Sequence, residues 1–389
     1  MSITAPAGFV AAGLASGIKS SGALDLALLA TDDAVAVPTA ATFTTNRAAA
    51  PPVEVSRGHL ATAGGMAAGV VVSSGNANAA TGDRGRADAL TMCRLAASGL
   101  GVPVHHILVC STGLIGVPLP MQPITDGIPA LVAARSDSAD AAGDAASGIL
   151  TTDSGRKEVV VVGPGFTVAG MAKGAGMLAP HMATMLAFLT TDAAVEPGPL
   201  ADLLGAAVAE SFNSMTVDGC TSTNDTVVLM ASGRAGVADP GHLSDSVTEA
   251  CRSLAGLMLA DAEGASKIVQ VRVSGARSDG EAHQAARAVA GSLLVKCSLN
   301  GGDPYWGRLV SDLGSAGVDF DIDRVAIAYG GVTVCRDGVA ADHDAAAVDR
   351  HLAGALVDIH CLLGMGDGSG VVLGVDLGYG YIDENRTTS

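Results

Sequence analysis

Met171-Ala-Lys-Gly-Ala-Gly-Met-Leu-Ala-Pro-His-Met-Ala-Thr-Met-Leu-Ala-Phe-Leu-Thr-Thr-Asp-Ala-Ala-Val195 sets the terms for the whole chain. A glycine-bearing, flexible loop with one lysine, Lys173, leads into Ala183-Thr184, and an apolar run from Met185 to Leu189 follows at once. That order puts a threonine hydroxyl at the mouth of a buried strand. Threonine is common in strands because its branched side chain suits a pleated surface. A lone Thr184 therefore carries no function without support from elsewhere in the chain.

The 389 residues suffice for one large domain or two of ordinary size. Apolar residues make up 49%, aromatic ones only 3%, and there are 51 glycines. A core from such material is built of Val, Leu and Ala, in closely approaching layers of sheet and helix. The formal net charge of −17 argues against a broad nucleic-acid footprint, which needs clustered Lys and Arg. Seven scattered cysteines with no Cys-x-x-Cys pair fit a reduced compartment and neither a disulfide framework nor a zinc site. The stretch from Met1 to Val10 lacks a basic region followed by an apolar core. No apolar run approaches the roughly 18 residues of a membrane span. These features predict a cytoplasmic protein.

Short apolar runs and turn residues predict strands at Leu26–Ala30, Ala34–Val37, Ala68–Ser73, Ile107–Cys110, Glu158–Val162, Thr226–Met230, Val325–Val334 and Val371–Val375. Helices are expected over Arg86–Leu100, around Ile128–Ala134, and over Leu200–Phe212 and Ala282–Val295. Ser246-x-x-Glu249 reads as a capping box heading a helix whose apolar side is Val247, Ala250, Cys251, Leu254, Leu257 and Met258. Val269, Val271 and Val273 alternate with Gln270 and Arg272, so that strand has one wet face. The pattern predicts an α/β or α+β layered fold, with no internal repeat and no linker dividing it.

Familiar catalytic signatures are absent: there is no P-loop, His-Glu-x-x-His, Gly-x-Ser-x-Gly or dinucleotide fingerprint. Gly364-Met-Gly-Asp-Gly-Ser-Gly370 leads into a strand, which suits a hairpin turn and not a phosphate cradle. His181 is a candidate base close to Thr184, weighed against an ordinary loop residue. Three further segments are small, polar and placed at the ends of apolar runs: Ser111-Thr112-Gly113, Thr151-Thr152-Asp153, and Asp218 to Asp225. Strand ends are where a rigid scaffold presents reactive groups. With Lys173 ahead of Thr184, they outline an active site without metal or cofactor.

Lys173-Gly-Ala-Gly-Met-Leu-Ala-Pro-His-Met-Ala-Thr-Met185 resembles the self-cleaving segment of the ornithine acetyltransferases, the arginine-biosynthetic glutamate N-acetyltransferases. The resemblance runs almost end to end. It takes in Phe43-Thr-Thr-Asn-Arg47, Ser74-Gly-Asn-Ala-Asn78, Ser111-Thr-Gly-Leu-Ile-Gly-Val-Pro-Leu-Pro120, Thr151-Thr-Asp153 and Ser222-Thr-Asn-Asp-Thr226. It continues through Asp261-Ala-Glu-Gly-Ala-Ser-Lys267, Leu294-Val-Lys296 and Asp303-Pro-Tyr-Trp-Gly-Arg308.

The resemblance implies a self-processing fold like that of the N-terminal nucleophile enzymes, cut between Ala183 and Thr184. An α chain, residues 1–183, and a β chain, residues 184–389, would stay together, two of each forming a heterotetramer. The Thr184 hydroxyl attacks the preceding carbonyl, and an N-to-O acyl shift gives an ester that water opens. The freed α-amine, with an ordinary pKa near 8, then serves as general base for the same hydroxyl. By this resemblance Thr184 carries acetyl from N-acetylornithine to glutamate in a ping-pong cycle. Thr112 and Gly113 match the oxyanion positions, and Thr151, Lys173, Glu263, Asn385 and Ser389 match substrate-binding ones. Lys173 would pair with a substrate carboxylate and Glu263 with the far ammonium of ornithine. No cofactor is implied. The family divides on acetyl-CoA as a second donor, and no nucleotide motif here marks a site for it.

Four positions depart from the family pattern: Ser73, His181, Cys297 and Tyr305 stand where Asn, Asn, Thr and Asn are usual. The tail is one residue short of the familiar ending, which leaves Thr388 as the alternative to Ser389. These differences keep open a paralogue with another acyl acceptor. Two further readings remain: an amidase or aminopeptidase of the same self-processing type, and a non-catalytic α/β binding protein in which Thr184 is an ordinary strand residue.

Overall fold

The computed structural model of the protein describes residues 2–179 and 185–386. Among these, the chain forms two compact units, the first holding residues up to 213 and 220–258, the second 214–219 and 259–386. In chain order the first unit contributes β1 (Phe9–Leu14), β2 (Leu26–Thr31), β3 (Val37–Phe43), β4 (Met66–Ala67), β5 (Gly69–Asn76), β6 (Ile107–Leu114), β7 (Lys157–Gly163), β8 (Phe166–Lys173) and β9 (Leu186–Ala194). After β10 (Met215–Thr216), which belongs to the second unit, β11 (Thr226–Val237) returns to the first.

Two sheets result in the first unit, one ordered β1-β2-β5-β6 and the other β4-β3-β11-β9-β8-β7. Side-chain alternation explains why several strands are apolar throughout: each face feeds a different core. Ala27 and Leu29 of β2, Val70 and Val72 of β5, and Leu108 and Cys110 of β6 pack with Met171, Leu186, Phe188, Val228 and Met230 of the second sheet. The opposite faces, with Leu28, Val71 and Val109, pack on the helices Gly82–Leu100 and Met121–Ala133. Outside the second sheet, Leu254 of the helix Pro240–Ala260 reaches Gly170 of β8, where an added Cβ would lie 2.8 Å from Leu254 Cδ1. The layered α/β expectation holds, with two sheets face to face and helices on their outer sides.

The second unit has one sheet, ordered β10-β17-β12-β16-β13-β14-β15. Its remaining strands are β12 (Ile268–Ala276), β13 (Ala326–Tyr329), β14 (Val332–Arg336), β15 (Val339–Ala340), β16 (Leu356–Leu362) and β17 (Gly368–Val375). The predicted alternation of β12 is real: Val269, Val271 and Val273 enter the core with Ile359, Cys361 and Val372. On the wet face Gln270 Nε2 donates to Asp358 Oδ1 at 2.9 Å.

Several local expectations give way to tertiary context. The helix expected to start at Ser246 starts at Pro240, where Asp239 Oδ1 accepts from the His242 N–H at 3.0 Å. Ser246 Oγ instead donates to the His242 carbonyl one turn back, and Leu257 is exposed. The helix expected over Ala282–Val295 is two, Asp279–Gly291 and Leu293–Asn300. Ser292 breaks it with ψ 119° and caps the second, accepting from the Val295 N–H. The strand expected over Val325–Val334 is a hairpin of β13 and β14, turned at Gly330-Gly331 with φ of 54° and 81°; glycine takes such values without steric cost. The run 364–370 is no hairpin either. β16 and β17 lie on opposite sides of β12, so residues 363–366 cross its end, donating to Ser274 and Gly275 carbonyls. Ala34 sits in a turn with φ 57°, and β3 begins only at Val37. The helix Ala139–Gly148 was not legible, because its alternating Ala, Gly and Asp lack an apolar stripe.

Candidate active site

The polar strand ends of the first unit meet at one place. β5 and β6 run parallel, with Ser73 opposite Ser111 and Ser74 opposite Thr112. Thr112 is buried. Gly113 adopts φ 128°, and a Cβ there would lie 2.3 Å from the Gly75 backbone carbon, inside the bulge that joins the two strands. Glycine is thus required by strand packing as well as by any approach of a ligand. Thr112, Gly113, Ala77, Met177 and Ser222 to Asn224 line a small cavity of about 40 Å³.

Lys173 is not in a flexible loop, as the sequence suggested. It is the last residue of β8, 2% exposed, held at the sheet by pairing opposite Leu186 of β9. Its Nζ lies 3.7 Å from Asp153 Oδ2, while Lys157 Nζ lies 2.7 Å from Asp153 Oδ1. The Asp153 side chain is fully buried and also accepts from the Gly174 N–H at 2.6 Å and the Thr151 N–H at 3.2 Å. Burial alone would push this carboxyl up. Lys173, Lys157 and the Gly174 N–H outweigh it and hold the group down at about 2. A fixed buried anion between two buried cations results, with Lys19 contributing a further positive charge nearby. Burial lowers the Lys19 ammonium against the pull of Asp25, and its Nζ donates to the carbonyls of Leu24 and Leu150.

Asp225 stands at the head of β11 and is wholly buried. Its Oδ1 accepts from the Met185 N–H at 3.0 Å. Burial pushes its carboxyl up to about 8, opposed by the Met185 N–H, Ser222, Lys173 and Thr44. The neighbouring Asn224 donates through Nδ2 to the Ala77 carbonyl at 2.6 Å and the Ser111 carbonyl at 2.9 Å.

Of the residues singled out from sequence, Thr112, Gly113 and Lys173 lie on these strand ends of the first unit, and Thr151 lies in the bend between the helix Ala139–Gly148 and β7. Ala183, Thr184, His181, Thr388 and Ser389 lie outside the described residues. Glu263 and Asn385 belong to the second unit, where Asn385 Nδ2 donates to Glu263 Oε2 at 2.9 Å. Ser73 is buried, its hydroxyl donating to Ser111 Oγ at 2.9 Å, so this departure sits one strand from Thr112. Cys297 and Tyr305 are exposed in the second unit.

Asp153, Lys157, Asn224 and Asp225 are the site residues whose roles the sequence did not disclose. Two signals were present: the i, i+4 spacing of Asp153 and Lys157, and a carboxylate placed directly before the apolar run that becomes β11. Among the described residues, no group of three or more His, Cys, Asp or Glu is placed to hold a metal ion. No helix among them is long and apolar enough to cross a membrane.

A family model described as the ArgJ family matches residues 10–387. The arginine biosynthesis bifunctional protein ArgJ of Thermobifida fusca (strain YX) is 44% identical over 390 residues, covering 100% of both chains. The protein of the same name from Mycobacterium leprae (strain TN) is 43% identical over 394 residues, covering 100% of this chain and 95% of its own. A crystal structure of the arginine biosynthesis bifunctional protein argJ from Bacillus halodurans is 36% identical, covers 51% of this chain and 96% of that one, and superposes with a TM-score of 0.49.

Proposed function

The chain belongs to the ArgJ family, and from that premise we propose that it is a cytoplasmic acetyltransferase of arginine biosynthesis. It cleaves itself between Ala183 and Thr184 and moves acetyl from N-acetylornithine to glutamate through an ester on Thr184. The observation that carries this reading is the convergence of β6, β8 and the head of β9 on one loop. Thr112-Gly113, Lys173 and Met185, the residue following Thr184, all border residues 222–225.

The Thr184 hydroxyl adds to the acetyl carbonyl, and its proton passes to the α-amine of Thr184. When the tetrahedral intermediate collapses, the acetyl–nitrogen bond breaks and that proton goes to the departing amine of ornithine. Glutamate's amine then attacks the ester, the bond to Oγ breaks, and the hydroxyl recovers its proton. The oxyanion of both steps is met by the Thr112 hydroxyl and the Gly113 N–H; fixed donors in a dry site act without reorganisation. Lys173, its charge anchored by Asp153, is the partner for a substrate carboxylate. Thr151, Glu263, Asn385 and Ser389 are the remaining proposed contacts, Glu263 toward the side-chain ammonium of ornithine. No cofactor enters these steps.

On a denaturing gel the purified protein gives two bands, with masses matching residues 1–183 and 184–389, and Thr184→Ala gives one. A wild-type chain that runs whole at 38.2 kDa sinks the proposal. β8 and β9, on either side of the cut, are hydrogen-bonded neighbours, which supports two pieces that remain one body; the proposed assembly has two α and two β chains. Acetyl transfer to glutamate, measured side by side from acetylornithine and acetyl-CoA, decides between one donor and two. Acetyl-enzyme that decays equally fast without glutamate marks a hydrolase instead.

A further inference from the structure

We propose that Asn224 and Asp225 are positioning residues that hold the oxyanion strand and the nucleophile strand at a fixed separation. The inference rests on Thr184 being the nucleophile. Met185 directly follows Thr184, so the amide held by Asp225 Oδ1 belongs to the peptide that joins residues 184 and 185. Ser111 directly precedes Thr112, so the carbonyl held by Asn224 Nδ2 belongs to the peptide that joins residues 111 and 112. The two strands lie in different sheets, β6 in one and β9 in the other. Asn224 therefore reaches the other sheet, while Asp225 holds the entry of β9 within its own, and the two side chains are consecutive where the chemistry is proposed. Asn224 is itself held, its Oδ1 accepting from Thr223 Oγ1 at 2.6 Å.

Asp225 fixes the Met185 amide through one oxygen only. Its Oδ2 is buried and has no hydrogen-bond partner among the described residues. An unsatisfied buried polar atom costs about 1–3 kcal/mol, and an apolar side chain at the head of β11 would move that cost to the Met185 N–H, which Asp225 Oδ1 now accepts. The carboxyl fixes the Met185 peptide, and the position of that peptide matters to the reaction if Thr184 is the nucleophile. The charged group acting on it is Lys173 of β8, two strands along the same sheet; Thr44, after β3, and Ser222, on its own loop, face it as neutral groups. A misplacement of about 1 Å at a reacting group costs on the order of 10²-fold in rate.

The test follows the full chain made by cell-free translation, where the uncleaved precursor is present at the start and its loss is timed on a gel. Acetyl transfer by the matured protein is then measured. Asp225→Ala slows cleavage and lowers kcat by about 10²-fold, with KM for acetylornithine within about threefold of the wild type. Asp225→Asn keeps an acceptor oxygen for the Met185 N–H and retains cleavage to within about tenfold. Asn224→Ala lowers kcat in the same way without moving KM. Asp225→Ala that cleaves and turns over like the wild type overturns the inference. Should Asp225→Ala fail to fold, Asp225→Glu decides: it keeps the carboxyl and shifts the acceptor, and an unchanged rate overturns the inference while a loss of about tenfold or more supports it. A wild-type chain that never cleaves removes the nucleophile reading and this inference with it. Normal wild-type cleavage beside an unaffected Asp225→Ala removes this inference alone.

Discussion

Lys173 and Lys296 are each 2% exposed, one in each unit, and their partners differ in kind. Lys173 faces Asp153, a carboxyl held at about 2 after its burial is outweighed by Lys173, Lys157 and the Gly174 N–H. Lys296 donates to the backbone carbonyl of Val217, and burial pushes its ammonium down to about 8, with Asp218 and Asp376 pulling the other way. A carboxylate keeps a buried pair charged; a carbonyl satisfies a donor but does little against desolvation. Equal burial therefore does not mean equal use. The first arrangement suits recognition of an anion, the second the tying of one backbone segment to another.

The contrast can be broken most directly at Lys173 itself. Lys173→Met is expected to lower kcat/KM for acetylornithine by about 10²–10³-fold, read by steady-state kinetics of transfer to glutamate. An equal loss in Lys296→Met would erase the distinction. Next in size, Thr112→Val is expected to lower kcat by about 10²-fold with little change in KM, since a neutral isostere removes the oxyanion donor proposed at Thr112 and leaves the cation proposed to bind substrate.

The pH dependence of stability separates the two units. Asp153 has a folded value depressed to about 2 from an ordinary value near 3.9. Its contribution is therefore fully present above about pH 4 and is lost as pH falls toward 2. Lys296 is also depressed, to about 8 from 10.5, so its contribution is present above about pH 10.5 and is lost as pH falls through 8. Urea unfolding across pH is expected to show an acid limb that Asp153→Asn flattens and an alkaline rise that Lys296→Met removes. The smallest effect expected is on chemistry in Lys296→Met, with transfer within about threefold of the wild type; a larger loss would give this lysine a part in the reaction.

The sequence marked both lysines by the motifs around them and, through the family resemblance, gave a role only to Lys173; it disclosed the partner of neither. Their difference arises from Asp153, which is 20 residues before Lys173, and from Val217, which is 79 residues before Lys296. The strands of the first unit were legible where both faces are apolar, as in Leu26–Ala30 and Ala68–Ser73. The helix Ala139–Gly148 was not, because small residues without an apolar stripe carry no period. Ser246 and Glu249 satisfied the capping pattern in the middle of a helix, where the preceding turn was already set by Asp239 and Pro240. Ser292 acted as a cap inside a run that looked continuous.

At the candidate site, Thr112, Gly113, Thr151 and Lys173 were visible in one dimension as polar residues ending apolar runs. Their convergence was not, since it depends on two sheets meeting face to face. Membership of the ArgJ family, the layered α/β architecture and the residue types able to do acyl transfer were thus determined by sequence alone, because pattern and motif order are local properties. Tertiary structure alone decided that Lys173 is a buried strand end paired with Asp153. It also decided that Gly113 is a packing requirement of β5 and β6, and that Asn224 and Asp225 reach across to Ser111 and Met185. Burial and hydrogen-bond geometry belong to pairs of residues far apart in the chain, and no spacing along a single strand encodes them.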